Sequence, residues 1–298
     1  LVSGRFFQKL TLAEIVLRNS NSNFIMKEMT DAAKSKAATT YNAASDFFDN
    51  ESLSFWNKYG TATVERLHLK NGMTVLDVAC GSGASALPAA ITVGESGNVI
   101  AVDIADNLLK LGRTKAIKLG LHNIEFLFGD MTGLNYEDEC FDAIICVFGI
   151  FFVPDMDLLL KEFWRLLKPK GKLAVTTWGP DLFAPVYNIW RNEIKKERPD
   201  LYASFNPWDR ITDIQSVISL FNSAGIENVD VVAENGFHLL HTPEDWWTIV
   251  MGSGFRWTVD QLGTDASLRV KNQNIEWIKS NDTKSIETNV IYAVASKK

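Results

Sequence analysis

The segment that most constrains this chain is Thr74 to Ala86, TVLDVACGSGASA, followed after a short helix-length gap by VIAVD, ending at Asp103. Its apolar run reads as a buried strand ending near an acid, Asp77, and leads into a glycine-rich turn and a helix start. A second apolar run then ends on a second acid. Gly81 and Gly83 lack a Cβ, so the backbone turns sharply and lets a ligand come close. Asp103 stands where one carboxylate takes both hydroxyls of a ribose, so the arrangement binds a nucleoside cofactor.

Around that block the chain alternates as βα units do. Strands are expected at Met73–Ala79, Val99–Asp103, Ile124–Phe128, Phe141–Val147 and Leu173–Trp178, the last after a Lys168-Pro169-Lys170-Gly171 stop. Helices are expected at Ser85–Val93, Asn107–Leu119 and Asp157–Leu167. A sixth unit follows, with a helix over Ile211–Ala224 and a strand over Val229–Glu234, and Asn289–Ala295 closes the sheet. The expected class is α/β: a doubly wound, mostly parallel seven-stranded sheet with N-terminal helices and a helical cap. Residues 1–60 form the N-terminal helical segment, with helices from Met26 onward, and 61–298 the main domain. Cap insertions are expected at about 179–210, rich in Pro and aromatics, and 235–288, which holds Trp246, Trp247, Phe255, Trp257 and Trp277.

Composition excludes several function classes. A formal charge of -6 without clustered Lys and Arg argues against a nucleic-acid surface. With no apolar run of about 18 residues, no membrane span is expected; a cytoplasmic protein, monomer or homodimer, is the expectation. Cys80, Cys140 and Cys146 show no metal-ligand spacing and read as reduced thiols, so no metal is expected.

The loop Gly81-Ser82-Gly83-Ala84-Ser85-Ala86 also satisfies the dinucleotide pattern, and taken alone it is ambiguous. Asp77 on its leading edge repels a pyrophosphate but suits a ligand carrying an ammonium and a sulfonium. Gly129-Asp130-Met131 after the third strand offers an acceptor for an adenine amino group and an apolar side chain for the ring face.

With these residues the chain resembles the class I S-adenosylmethionine (SAM)-dependent methyltransferases. Four blocks carry the likeness over roughly Thr39 to Pro180: VLDVACGSG, VIAVD, GDM and FDAIICVFG…LLLKEFWRLLKPKGKLAVTTW. Within the class it is similar to the group of ubiquinone and menaquinone C-methyltransferases and many small-molecule methyltransferases, including those of secondary metabolism. Ala79 departs from the pattern, standing where the family has the first of three glycines.

The resemblance implies a Rossmann-like methyltransferase fold, SAM as cofactor and S-adenosylhomocysteine as its product. It implies that Asp77, Ala79, Gly81 and Gly83 hold the methionine moiety, Asp103 and Ile104 the ribose, Asp130 and Met131 the adenine, and the backbone near Cys146 the ammonium. Asp77 serves either that moiety or the loop's own amides. Tyr41 resembles an aromatic that closes over the cofactor, with core packing as the alternative.

A small hydrophobic or aromatic metabolite is the expected acceptor, taken by in-line transfer to C, O or N. Phe148, Phe151, Phe152 and Trp178, at the ligand edge of the sheet, are the expected acceptor contacts, with the aromatic cap above them. Of the four histidines, His238 and His241, just beyond the sixth strand, are the candidates for a general base, with structural edge histidines as the alternative. An NAD-dependent oxidoreductase and a non-catalytic SAM-binding module are the competing functions.

Overall fold

The computed structural model describes residues 31–203 and 205–298. The earlier part of the expected N-terminal helices therefore lies outside the described residues. Residues 31–48 form α1, and α2 follows over Phe55–Leu67. The expected domain boundary at 60 falls inside α2.

The βα alternation then gives β1 (Thr74–Val78), α3 (Ala86–Val93), β2 (Asn98–Asp103), α4 (Asp106–Lys118), β3 (Ile124–Phe128), β4 (Phe141–Val147), α5 (Met156–Leu166) and β5 (Leu167–Trp178). Strand β1 is buried along almost its whole length, as a central strand covered on both faces must be. On α5, Leu159, Leu160, Phe163 and Leu166 form the buried stripe, while Lys161, Glu162 and Arg165 carry the opposite face.

Strands β6 (Val229–Glu234) and β9 (Val290–Ser296) complete a seven-stranded sheet in the order β3-β2-β1-β4-β5-β9-β6. All pairs are parallel except those of β9, which runs antiparallel to both β5 and β6. The strand order reverses between β1 and β4, and the crevice beyond the carboxyl ends of those strands is where an open α/β sheet binds ligands.

Two boundaries differ from expectation for identifiable reasons. Strand β5 begins at Leu167 because Phe141 pairs with Leu167 and Ala143 with Lys172, so the expected stop at 168–171 is a bulge inside the strand, with Lys170 at φ 65°. The helix expected from Ile211 is α7 (Ile214–Ser223), because Asp213 takes the N-cap and accepts the Ser216 N–H at 2.9 Å.

Both insertions join into one cap. Residues 179–210 contain α6 (Val186–Glu197), and 235–288 contain β7 (Phe237–Leu239), α8 (Asp245–Met251), α9 (Arg256–Leu262), α10 (Thr264–Ser280) and β8 (Ser285–Glu287). Helix α10 packs on α6, and Arg269 donates twice to Glu197 at 2.8 Å across them. The cap is not wholly helical, since β7 and β8 pair as a separate two-stranded sheet. Among the described residues no helix is long and apolar enough to cross a membrane.

Helix α2 presses directly on the glycine loop: a Cβ on Gly60 would overlap the Ala84 carbonyl, which is backbone and cannot rotate away. Gly60→Ala is expected to destabilise the fold by about 1–3 kcal/mol through overpacking. A thermal melt checks this; an unchanged melting temperature would show that α2 and the loop separate freely.

Candidate functional site

Beyond the end of β1 the chain turns through Ala79, Gly81 and Gly83, at φ 56°, 54° and 92°. Gly83 is required sterically as well, because a Cβ there would sit 3.0 Å from the Phe126 ring and 3.1 Å from Leu87. Ala79 holds the left-handed conformation despite its Cβ, which costs about 1–2 kcal/mol.

Asp103, ending β2, ties this loop down: one carboxylate oxygen accepts the Gly81 N–H at 2.8 Å and the other the Ala105 N–H at 2.8 Å. Burial raises its pKa even against those bonds. The carboxylate also lines a cavity of about 100 Å³, together with Ala79, Gly81, Ile104, Met131 and Tyr41. Five residues expected at a nucleoside site are thus brought to one space with an aromatic from α1.

Asp77 lies behind the loop rather than on the cavity wall, with no exposed surface. Ser85 Oγ donates to its Oδ2 at 2.7 Å, while Oδ1 has no partner among the described residues. Burial pushes this carboxyl up to about 7, the Ser85 bond opposes the rise and the Asp103 charge adds to it. A buried carboxyl with an orphaned oxygen beside a second acid is electrostatically prepared for a cation and unfavourable for a pyrophosphate.

One expected contact is placed differently. Met131 faces the cavity, but Asp130 does not: Lys34 of α1 pairs with Oδ2 at 2.7 Å, and the N–H and hydroxyl of Thr132 donate to Oδ1 at 2.8 and 2.9 Å. Although burial works the other way, these bonds hold Asp130 below the usual carboxylate range. Its oxygens thus fasten α1 to the loop after β3 instead of awaiting an adenine amino group. Cys146 is buried within β4, its thiol pushed up to about 12 by burial, and its neighbour Val147 is the one that reaches the cavity.

The aromatic side of the site is built after β4 and β5. Phe148, at φ 53°, stacks on Trp178 with centroids 3.8 Å apart and planes at 12°. Tyr41 meets Phe152 edge to face at 5.7 Å and Phe48 at 6.2 Å. Phe148, Phe151, Phe152 and Trp178 all border a small cavity of about 30 Å³. A larger chamber of about 360 Å³ lies under the cap, walled by Tyr187, Trp190, Trp208, Phe255 and Trp257. Tyr41 and Phe152 border all three spaces and form the partition between the loop cavity and the chamber.

The histidines are not brought to this site. His238 sits in β7 with its ring edge-on to Phe55 at 5.1 Å, and burial lowers its pKa. His241 is exposed, its backbone N–H bound to Asp245 at 2.7 Å. Neither lines any of the three cavities: pairing of β7 with β8 sets His238 against Phe55 instead.

Several wall residues escaped the sequence reading. Trp56 borders the loop cavity, and Lys36, Tyr187, Trp190, Arg191 and Trp208 border the chamber. A signal for α1 was available: Ala33, Ala37, Thr40, Tyr41, Ala44 and Phe48 recur at helical spacing, and most of that stripe faces the cavities.

The sequence profile of the ubiE/COQ5 methyltransferase family matches residues 27–196. A demethylmenaquinone methyltransferase of Listeria welshimeri is 28% identical over 226 residues, 70% of this chain and 94% of its own. A demethylmenaquinone methyltransferase of Listeria monocytogenes is 34% identical over 172 residues, 54% of this chain and 71% of its own. The fold is similar to that of the YcgJ protein from Bacillus subtilis, with a TM-score of 0.54 at 17% identity over 81% of this chain and 99% of that one.

Proposed function

Because the chain belongs to the ubiE/COQ5 methyltransferase family and is a SAM-dependent methyltransferase, we propose that it methylates a flat, apolar acceptor seated in the chamber beyond Tyr41 and Phe152. The family sets aside the oxidoreductase reading of the glycine loop. One observation carries the acceptor assignment: Tyr41 and Phe152 are shared walls of the loop cavity and the aromatic chamber, so ligands on the two sides meet there.

The residues present fit the cofactor. Asp103 would take the ribose hydroxyls, Met131 the adenine face, and the backbone of Ala79 to Gly81 the methionine end, with Asp77 supplying negative charge behind them. Bound SAM supplies an electrophilic methyl group on a sulfonium. The chain's contribution is alignment and exclusion of water, and effective molarities of well-oriented reactions are worth about 7–11 kcal/mol. Tyr41, Phe152 and the Phe148–Trp178 stack present rigid apolar faces on both sides of the transfer path.

No His, Asp or Glu lines the chamber among the described residues, which supports an acceptor that arrives nucleophilic over one that needs a protein base. His238→Ala and His241→Ala are therefore expected to leave kcat/KM within about threefold, since a general base is worth about 10²–10⁴. A hundredfold loss in either variant, measured as label transfer, would return the base to that segment.

Asp77 adds a pH dependence. Its carboxyl is protonated below about 7 in the free enzyme, and an arriving sulfonium favours the ionised form, so binding releases a proton below that pH. SAM affinity should rise as pH increases from 5 to about 7 and then level off. The uncharged sulfur of S-adenosylhomocysteine should give a shallower slope. Calorimetry in buffers of different ionisation enthalpy reads the released proton directly; equal slopes for the two ligands would contradict the assignment.

The relatives named above are demethylmenaquinone methyltransferases, so quinol-type rings are the first acceptors to try. Methyl-labelled SAM offered with reduced naphthoquinones, hydroxynaphthalenes and, as a contrast, aliphatic amino acids should put label into the ring compounds. Label entering only the aliphatic compounds would overturn the flat-acceptor reading. The net charge of -6 supports a small molecule over a nucleic acid.

A further inference from the structure

The chamber is mostly aromatic and apolar, with Thr40, Asn206 and Thr258 as neutral polar residues, and its charged residues are of one sign. Lys36 of α1 and Arg191 of α6 both line it, and no Asp or Glu does. This is unexpected in a chain whose net charge is -6. Neither cation forms an ion pair among the described residues.

The Lys36 ammonium lies 3.5 Å from the centroid of the Trp257 ring, and burial lowers its pKa. Arg191 Nη2 donates to the Tyr202 hydroxyl at 3.0 Å and to the Ala203 carbonyl at 3.1 Å, which fixes the plane of the guanidinium. Among the described residues its buried Nε has no acceptor, and neither has the buried indole Nε1 of the adjacent Trp190, whose side chain lines the same space. The nearby acid Asp209 is committed elsewhere, accepting the Asn206 backbone N–H at 2.7 Å.

Lys36 is exposed and Arg191 half-buried, and the rings of Trp257, Tyr187 and Tyr202 lie against them, so both keep their charge without a protein counter-ion and stand open to an anion entering the chamber. Two cations without a carboxylate, one with an unused donor, make a receptor for an anion that the protein itself does not supply.

Resting on the chamber as the acceptor site, we propose that the acceptor is an aromatic carboxylate, whose ring fills the aromatic cage and whose carboxylate is bound by Lys36 and Arg191, which set specificity. The anion sits on the walls made by Lys36 and Arg191, while the methyl-accepting atom lies toward Tyr41 and Phe152. Both helices that carry the cations also wall the chamber, so recognition of the acid and closure of the site use the same elements.

The test is calorimetric, on the full chain saturated with S-adenosylhomocysteine, with three probes: 2-naphthoate, its neutral isostere 2-naphthamide, and 2-naphthyl phosphate. The acid is expected to bind about tenfold or more tighter than the amide, as a charge-assisted hydrogen bond outweighs a neutral one. The phosphate should bind no tighter than the acid. In Lys36→Met and Arg191→Met the preference should shrink, and in the double variant vanish, with amide affinity kept.

Because Arg191 also holds Tyr202 and Ala203, Arg191→Lys serves as a second variant that keeps the charge and should keep part of the preference. Equal affinity for acid and amide in the unaltered chain, failure of all three probes to bind, or a preference surviving in the double variant would overturn the proposal. Tighter binding of the phosphate would overturn the carboxylate assignment. S-adenosylhomocysteine binding is measured first, in a separate titration of the unliganded chain. Its absence signals failure of the cofactor site, whereas its presence without acid preference signals failure of this inference alone.

Discussion

Asp103→Ala is expected to weaken S-adenosylhomocysteine binding by about a hundredfold, or about 2.7 kcal/mol. The carboxylate lines the loop cavity and keeps lone pairs free after accepting the N–H groups of Gly81 and Ala105. Two bonds from a ribose diol to an ionised acceptor are worth about 1.5–3 kcal/mol each, part of which water returns when the side chain is removed. The same substitution frees the Gly81 amide, so the loop loosens as well as losing its ligand contact. A thermal melt of the variant separates the two effects. If calorimetry found affinity within threefold of the unaltered chain, the ribose would lie elsewhere.

The second large effect is expected at the partition. Tyr41→Ala should lower kcat/KM for any acceptor by about two orders of magnitude, the cost of losing alignment at the reacting centre, while changing S-adenosylhomocysteine affinity less than tenfold. Removing the ring opens the wall between cavity and chamber and leaves the Phe152 edge unsupported. Tyr41→Phe keeps the ring and should retain activity within about threefold, because the hydroxyl makes no hydrogen bond among the described residues. Steady-state kinetics on the two variants distinguish wall from acid: comparable losses in both would make the hydroxyl itself a participant.

The parts of this molecule that could be read from sequence are those whose information is local. Seven strands, the glycine turn and the acid at the end of β2 each depend on a few neighbouring residues, the central strands on short continuous apolar runs. The cavity wall from α1 was harder, since Tyr41 shows only helical spacing until the helix is laid across the crevice.

Asp130 illustrates the limit. Nothing near it in sequence announces Lys34, 96 residues earlier, as its partner. The histidines fail for the same reason: whether residues 236–241 reach the site depends on the pairing of His238 with Ile286, nearly fifty residues on. Lys36 and Arg191 lie near opposite ends of the family match and line one chamber only in the folded chain.

The central claim is that the loop cavity and the aromatic chamber form one reaction path that narrows between Tyr41 and Phe152. The most direct measurement is a crystal structure with S-adenosylhomocysteine and an aromatic acceptor bound together. The ribose is expected on Asp103, the adenine against Met131, and the sulfur facing the acceptor across the gap between Tyr41 and Phe152. An acceptor outside the chamber, or a sulfur directed away from that gap, would contradict the claim.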